Sequence, residues 1–330
     1  MIFLSTVLAL TALTLQPGSA SPLHPRQNSS NSDGASGVYN GGFDNAQTVK
    51  LRIGNGGAGQ SGLVGAFADA YIQHSVQQGS DPFLVEWFLG DTTQSLANLA
   101  SGTIDVALTY NEAAENASLK SGAGIQRELV FIDHFWLVGP PSNPANLSTD
   151  GDTVLDMFNK LVTMGNTDQA IPPSNRVPTR FLSRYDKSAT NIKESQLFIT
   201  IGQVPWAFAY SEWYHQYPRF PLQALQAASL LEEYTLTDKG TWLSSPTNVT
   251  DNLVIYKQGL EPSESNNTND DTTILVNPCA AVLGSHTLDQ AVASDFMQWL
   301  VADDGGQQVV REFKKNGVVL YAPASAANSA

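Results

Sequence analysis

The chain has 330 residues, with 17 Lys+Arg against 31 Asp+Glu and a formal net charge of −14. That balance argues against nucleic acid and anionic membranes as partners. A small anion stays open, because long-range repulsion is screened within roughly 8 Å at physiological salt. Cys279 is the only cysteine, so no internal disulfide and no Cys-based zinc site can form.

Residues 1–20 read as a signal peptide: an apolar run over 2–15, then Pro17, Gly18, Ser19 and Ala20. The start of the segment lacks Lys and Arg. Residues 21–47 are rich in Ser, Asn and Gly without periodicity and read as a disordered leader. No second apolar run of spanning length follows, and residues 322–330 lack the apolar tail of a lipid anchor. These features predict a secreted monomer without a transmembrane anchor. N-x-S/T sequons at Asn28, Asn116, Asn146, Asn248 and Asn266 add the expectation of a glycoprotein.

Residues 49–53 alternate and are partly β-branched, as in a strand. A glycine-rich turn, residues 54–62, follows, and Leu63, Val64, Phe67, Ala70 and Tyr71 then recur at helical spacing. Gly54, Gly56 and Gly59 fit a dinucleotide fingerprint, but no acidic partner stands where that site needs one, and no cofactor is expected. A second strand over 83–89 leads through Asp91, Thr92 and Thr93 into a short helix. A third strand covers 104–108, a small helix 111–120, and a long apolar strand 129–138 is interrupted by Asp133 and His134. Strands alternating with helices in this way predict an α/β fold with parallel sheets.

A helix over 153–163 precedes the most informative stretch. Phe181 and Leu182 read as the end of a strand, residues 183–187 as a polar turn, and Ser188, Thr190 or Asn191 as the cap of a helix running through Leu197. A helix start offers free N–H groups and the positive end of the dipole, and Arg184 adds a planar fork of donors suited to an oxyanion. The other reading is an ordinary βα turn with Arg184 paired to Asp186. The aromatic run Trp206, Phe208, Tyr210, Trp213, Tyr214 and Tyr217 reads mainly as core packing. A helix over 222–231, a strand and capped turn over 234–243, strands at 253–256 and 274–276 around a polar insertion at 261–271, and a helix pair over 288–315 complete the chain.

Taken in order, these residues resemble periplasmic-type solute-binding proteins, and among them the tungstate-binding family of the bacterial tungstate ABC transporter. The similarity covers about residues 51–313. S-R-Y-D-K-S-A-T at 183–190 is close to the family's S-R-G-D-D-S-G-T, and Y-T-L-T-D-K-G-T at 234–241 to its Y-T-L-T-D-R-G-T. The resemblance implies a two-lobed periplasmic binding protein-like fold of type II with a ligand cleft between the lobes. Lobe 1 would take residues 48–133 and 274–325, and lobe 2 residues 134–273. It also implies binding of a small oxyanion, tungstate or molybdate in type, at turns 55–61, 91–94 and 183–190. The candidate site residues are Asn55, Gly56, Gly57, Ser61, Thr92, Thr93, Arg184, Ser188 and Thr190. Where the family's first turn carries T-T-T-S, this chain has Gly54, Asn55, Gly56 and Gly57. That removes hydroxyl donors and leaves backbone N–H groups to replace them.

An enzyme is the first alternative. The histidines show no metal-ligand spacing and no G-x-S-x-G occurs, while Asp133-His134 reads as a structural pair at a strand edge. A cell-surface interaction protein reusing the fold is the second. The expectation is a non-enzymatic binding protein, with no transporter partner visible in the sequence.

Overall fold

The computed structural model describes residues 34–207, 211–260 and 271–324. The predicted signal peptide, residues 21–33 of the leader, Phe208, Tyr210, residues 261–270 of the polar insertion, and the sequons at Asn28 and Asn266 lie outside the described residues.

The first strands and helices are β1 (Gly37–Tyr39), β2 (Val49–Asn55), α1 (Gly57–Ser61), α2 (Leu63–Gln77), β3 (Leu84–Leu89), α3 (Thr92–Ala100), β4 (Val106–Thr109) and α4 (Glu112–Ser121). The middle of the chain gives β5 (Gly124–Gly139), α5 (Val154–Ala170), β6 (Phe181–Ser183), α6 (Ala189–Thr200), β7 (Tyr214–Gln216) and α7 (Pro221–Leu231). It continues with β8 (Tyr234–Asp238), α8 (Lys239–Ser244), α9 (Thr247–Thr250) and β9 (Val254–Gln258). The return gives β10 (Val276–Gly284), α10 (Gln290–Val301), α11 (Gly306–Glu312), β11 (Lys314–Lys315), β12 (Val318–Val319) and β13 (Ala322–Pro323). Short polar side chains fix many helix starts. Asp91 caps α3, Asn111 caps α4, Ser188 caps α6, Asp238 caps α8 and Asp289 caps α10, and Thr153 forms a capping box with Asp156 on α5.

Hydrogen bonding links the strands in the order β1-β3-β2-β4-β10-β5-β8-β6-β7, with β9 and β13 also on β5. Among the described residues, β5 alone connects the two ends of this path. From Gly124 to His134 it pairs antiparallel with β10, and from Phe135 to Gly139 with β8 and β9. The packing divides at the same place. One core gathers Leu51, Phe67, Tyr71, Phe131, Phe296 and Trp299, the other Phe158, Phe181, Phe198, Tyr214 and Tyr234. The fold is therefore α/β and two-lobed, with each lobe built on its own core and β5 passing from one to the other.

Two expectations change. Residues 34–47 are part of the fold rather than of a disordered leader. β1 adds to the edge of β3, and the Gly41 N–H donates to Asp69 at 3.0 Å while Tyr39 and Phe43 pack on the first core. Polar composition hid two aromatic anchors there, Tyr39 and Phe43, and a strand partner for Trp87 at Gly37. The strand expected at 274–276 lies instead over Val276–Gly284, preceded by a 3-10 turn at Thr272–Leu275. Its residues 279–284 are buried on both faces, so no alternation marks them in the sequence.

Candidate anion-binding site

β2, β3 and β6 each end in a turn that starts a helix, and these turns meet in one cavity of about 70 Å³. Gly56, Gly57 and Thr92 line it from the first lobe, and Arg184, Ser188 and Thr190 from the second. On this measure one water needs about 10–15 Å³, so the space suits a small ion and not a dinucleotide.

The Arg184 turn is the most constrained part. Tyr185 and Lys187 hold left-handed backbone, φ 43° and 64°, which costs an L-residue about 1–2 kcal/mol each. Arg184 is 7 % exposed. Its Nη2 donates to Asp186, its Nη1 to Thr190 Oγ1 at 3.3 Å, and its Nε to the Arg219 carbonyl at 3.2 Å. The pair with Asp186 and a place on the cavity wall thus hold together. Behind the turn, buried Glu194 of α6 accepts from the Ser183 hydroxyl and from Asn191 Nδ2 at 2.7 Å. Burial pushes the Glu194 carboxyl up to about 8.

Thr92 is the first residue of α3. Its hydroxyl is buried without a hydrogen-bond partner among the described residues, so it is available to the cavity. At Gly57 an added Cβ would meet nothing within 4 Å, whereas at Gly59 it would fall 2.2 Å from the Trp87 ring. Gly59 is therefore a packing glycine, and the resemblance of this turn to a dinucleotide fingerprint has a steric origin.

Three sequence candidates fall outside the cavity. Asn55 is fully buried, with Nδ2 donating to the Leu108 carbonyl at 2.8 Å and Oδ1 accepting the Gly59 N–H at 2.7 Å; its amide shapes the turn from behind. Ser61 ends α1 rather than opening a helix, and its hydroxyl bonds the Ala58 carbonyl and the Tyr321 hydroxyl, both at 2.9 Å. Thr93 faces solvent. Conversely, Asp133, Asp238 and Asn277 line the cavity without having been picked out as ligands. The signal for Asp133 was present: a carboxylate inside an apolar run needs a reason. Burial, and after it the charge of Asp238, pushes the Asp133 carboxyl well above its ordinary range. Trp206, Trp213 and Tyr214 pack together around Phe198, in keeping with a core role. Among the described residues no group of three or more His, Cys, Asp or Glu side chains could hold a metal ion.

Comparison with known proteins follows this geometry. A crystal structure of a periplasmic protein provisionally described as metal-binding is 48% identical, covers 88% of this chain and 99% of its own, and superposes with a TM-score of 0.77. The tungstate-binding protein of Peptoclostridium acidaminophilum is 27% identical over 71% of this chain and 73% of its own length. A protein of Haloferax volcanii provisionally described as an ABC transporter anion-binding protein is 28% identical over 70% of this chain, which spans 61% of that relative. Residues 44–304 match the family model described as a PBP superfamily domain, and the chain belongs to that superfamily, as a two-lobed periplasmic-type binding protein resembling the tungstate-binding proteins.

Proposed function

We propose that the protein is an extracytoplasmic solute-binding protein that takes up one small oxyanion between its lobes, with tungstate and molybdate as leading ligands and sulfate and phosphate behind them. The observation that carries this reading is the convergence of a buried arginine, an unpartnered buried hydroxyl and three turns opening helices on one small cavity. The similarity to a tungstate-binding and an anion-binding relative supports it. A metal oxyanion is also compatible with a relative described as metal-binding, while Arg184 disfavours a bare cation.

In this reading Arg184 supplies the full charge, Thr92 a hydroxyl donor, and the turns at Gly56–Gly57 and Ser188–Thr190 the backbone donors. Asn55, Ser61 and Thr93 are not carried forward as ligands. The lobe boundaries we propose lie close to those expected, at residues 34–133 with 276–324, and 134–275, following the change of core within β5 and between Leu275 and Cys279. Secretion as a monomer and glycosylation belong to the same proposal; the described sequons Asn116, Asn146 and Asn248 are exposed, as glycan acceptors must be. The protein acts without catalysis. Titration calorimetry with molybdate, tungstate, sulfate and phosphate tests the reading, preceded by elemental analysis of protein purified without added ligand. Absence of binding for all four anions overturns it.

A further inference from the structure

Three carboxylates line a cavity proposed for an anion: Asp91, Asp133 and Asp238. Two are accounted for by local structure. Asp91 accepts the Gln94 N–H at 2.8 Å as the cap of α3. Asp238 accepts the Thr241 N–H at 2.7 Å and the Thr241 hydroxyl at 2.6 Å as the cap of α8. Asp133 caps nothing. It is 5 % exposed, and its Oδ1 accepts the N–H of its neighbour His134 at 2.8 Å.

Its position follows from strand register. Asp133 and Phe135 alternate to the same face of β5, and both line the cavity. Asn277 stands opposite Asp133 on β10, and Asp238 opposite Phe135 on β8, and these two also line it. The charged groups around Asp133 come from every side. Asp238 bears on it more strongly than Lys239 of α8 does, and both act through space. Arg184 and Asp91 share the cavity wall. Tyr110, Tyr321 and Cys279 feel the Asp133 charge, and burial pushes all three toward their neutral forms. An ionised Asp133 facing a dianion here would be two like charges at contact in a dry site.

We propose that Asp133 determines the specificity of this cavity by holding one proton between its carboxyl and an oxygen of the bound oxyanion. Toward a fully deprotonated dianion such as molybdate, the carboxyl is the donor and the proton comes from the protein. Toward an anion that carries its own proton, such as monohydrogen phosphate, the carboxylate is the acceptor. The inference rests on the oxyanion reading above. It is consistent with burial, and after it the charge of Asp238, raising the Asp133 carboxyl, which favours its protonated form.

Titration calorimetry on the full chain tests it, with molybdate and with phosphate between about pH 6 and 9, in buffers that differ in ionisation enthalpy. The expected result is uptake of about one proton per molybdate bound on the alkaline side of the Asp133 titration, with affinity falling roughly tenfold per pH unit there. Phosphate binding should fall less steeply. Asp133→Asn keeps a donor at every pH, so it should abolish the uptake and flatten the molybdate profile. Molybdate binding by the wild type with no proton uptake and no pH dependence overturns the proposal while leaving the oxyanion reading intact. Proton uptake that persists in Asp133→Asn overturns the assignment to this residue. Failure of both anions to bind at any pH removes the oxyanion reading and this inference with it. Should Asp133→Asn not fold, the wild-type proton count decides.

Discussion

Arg184 brings the one Lys or Arg charge among the described residues that line the cavity, and its guanidinium is oriented by Asp186, Thr190 and the Arg219 carbonyl. Replacing it by Ala should cost about 1.5–3 kcal/mol of binding, the scale of a hydrogen bond to a charged group, or roughly ten- to hundred-fold in Kd by calorimetry. Arg184→Lys should recover only part, because a point charge cannot reproduce the fork. Thr92→Val removes the one hydroxyl that faces the cavity unpartnered; it should weaken binding with little effect on Tm, whereas Thr92→Ser should bind like the wild type. Gly57→Val is a steric probe: space is open at its Cβ, so the fold should tolerate the side chain while the ligand's approach to the backbone is blocked. At this scale the sequence marked Arg184, Ser188, Thr190, Thr92, Gly56 and Gly57 as residues of strand-to-helix turns, and all six line the cavity; their role as ligands is what these variants test. Asn55, Ser61 and Thr93 could not be sorted from them. Linear spacing does not say which hydroxyl turns inward, or which amide is consumed by its own turn.

The strand–turn–helix unit β6–α6 is held by a polar group that sequence reasoning passed over. Glu194 sits fully buried on α6, takes the hydroxyl of Ser183 at the end of β6, and has one oxygen without a partner among the described residues. Burial raises its carboxyl from 4.5 to about 8 in the folded protein. The sign is that of a raised pKa: the folded state holds a proton that the unfolded state releases, so the contribution is whole below pH 4.5 and is lost as pH rises toward about 8. Glu233 and Asp133 are raised as well and act in the same direction. The useful measurement is therefore a difference. Tm of the wild type should fall across this interval more steeply than Tm of Glu194→Gln, and parallel curves would show that Glu194 is charged in the native state. Elements of this kind were legible as elements, since periodicity and caps place α3, α5, α6 and α10. Among the elements that escaped are β1, β7, α9, the short strands β11 to β13 and most of β10. β1 and β7 are three residues each and gain their pairing only from a distant strand, and β10 lacks alternation because both its faces are buried.

Across the molecule, two cores meet through β5, through α8, whose Leu243 packs on the first core, and through polar contacts such as Asn316 Nδ2 to the Leu243 carbonyl at 2.6 Å. A ligand that touches Gly57 and Thr92 on one side and Arg184 and Thr190 on the other adds a bridge between the lobes. Binding to the native state alone stabilises it by about 2.7 kcal/mol when the ligand stands at 100 times its Kd. For a chain of this size that corresponds to a rise in Tm of roughly 5 °C. The bridge has a further consequence for cooperativity. Without ligand, the lobes can unfold at different temperatures, because each is built on its own core. With molybdate bound, loss of either lobe releases the ligand, so both transitions should move together. Scanning calorimetry should accordingly give a broad or split endotherm for the ligand-free protein and a single, sharper and later one at saturating molybdate. Arg184→Ala at the same molybdate concentration should show a smaller upward shift and an endotherm closer to the ligand-free shape. If wild-type molybdate binding raises Tm but leaves a split endotherm split, with only one component shifted, the ligand is held by one lobe alone and the interlobe site is wrong.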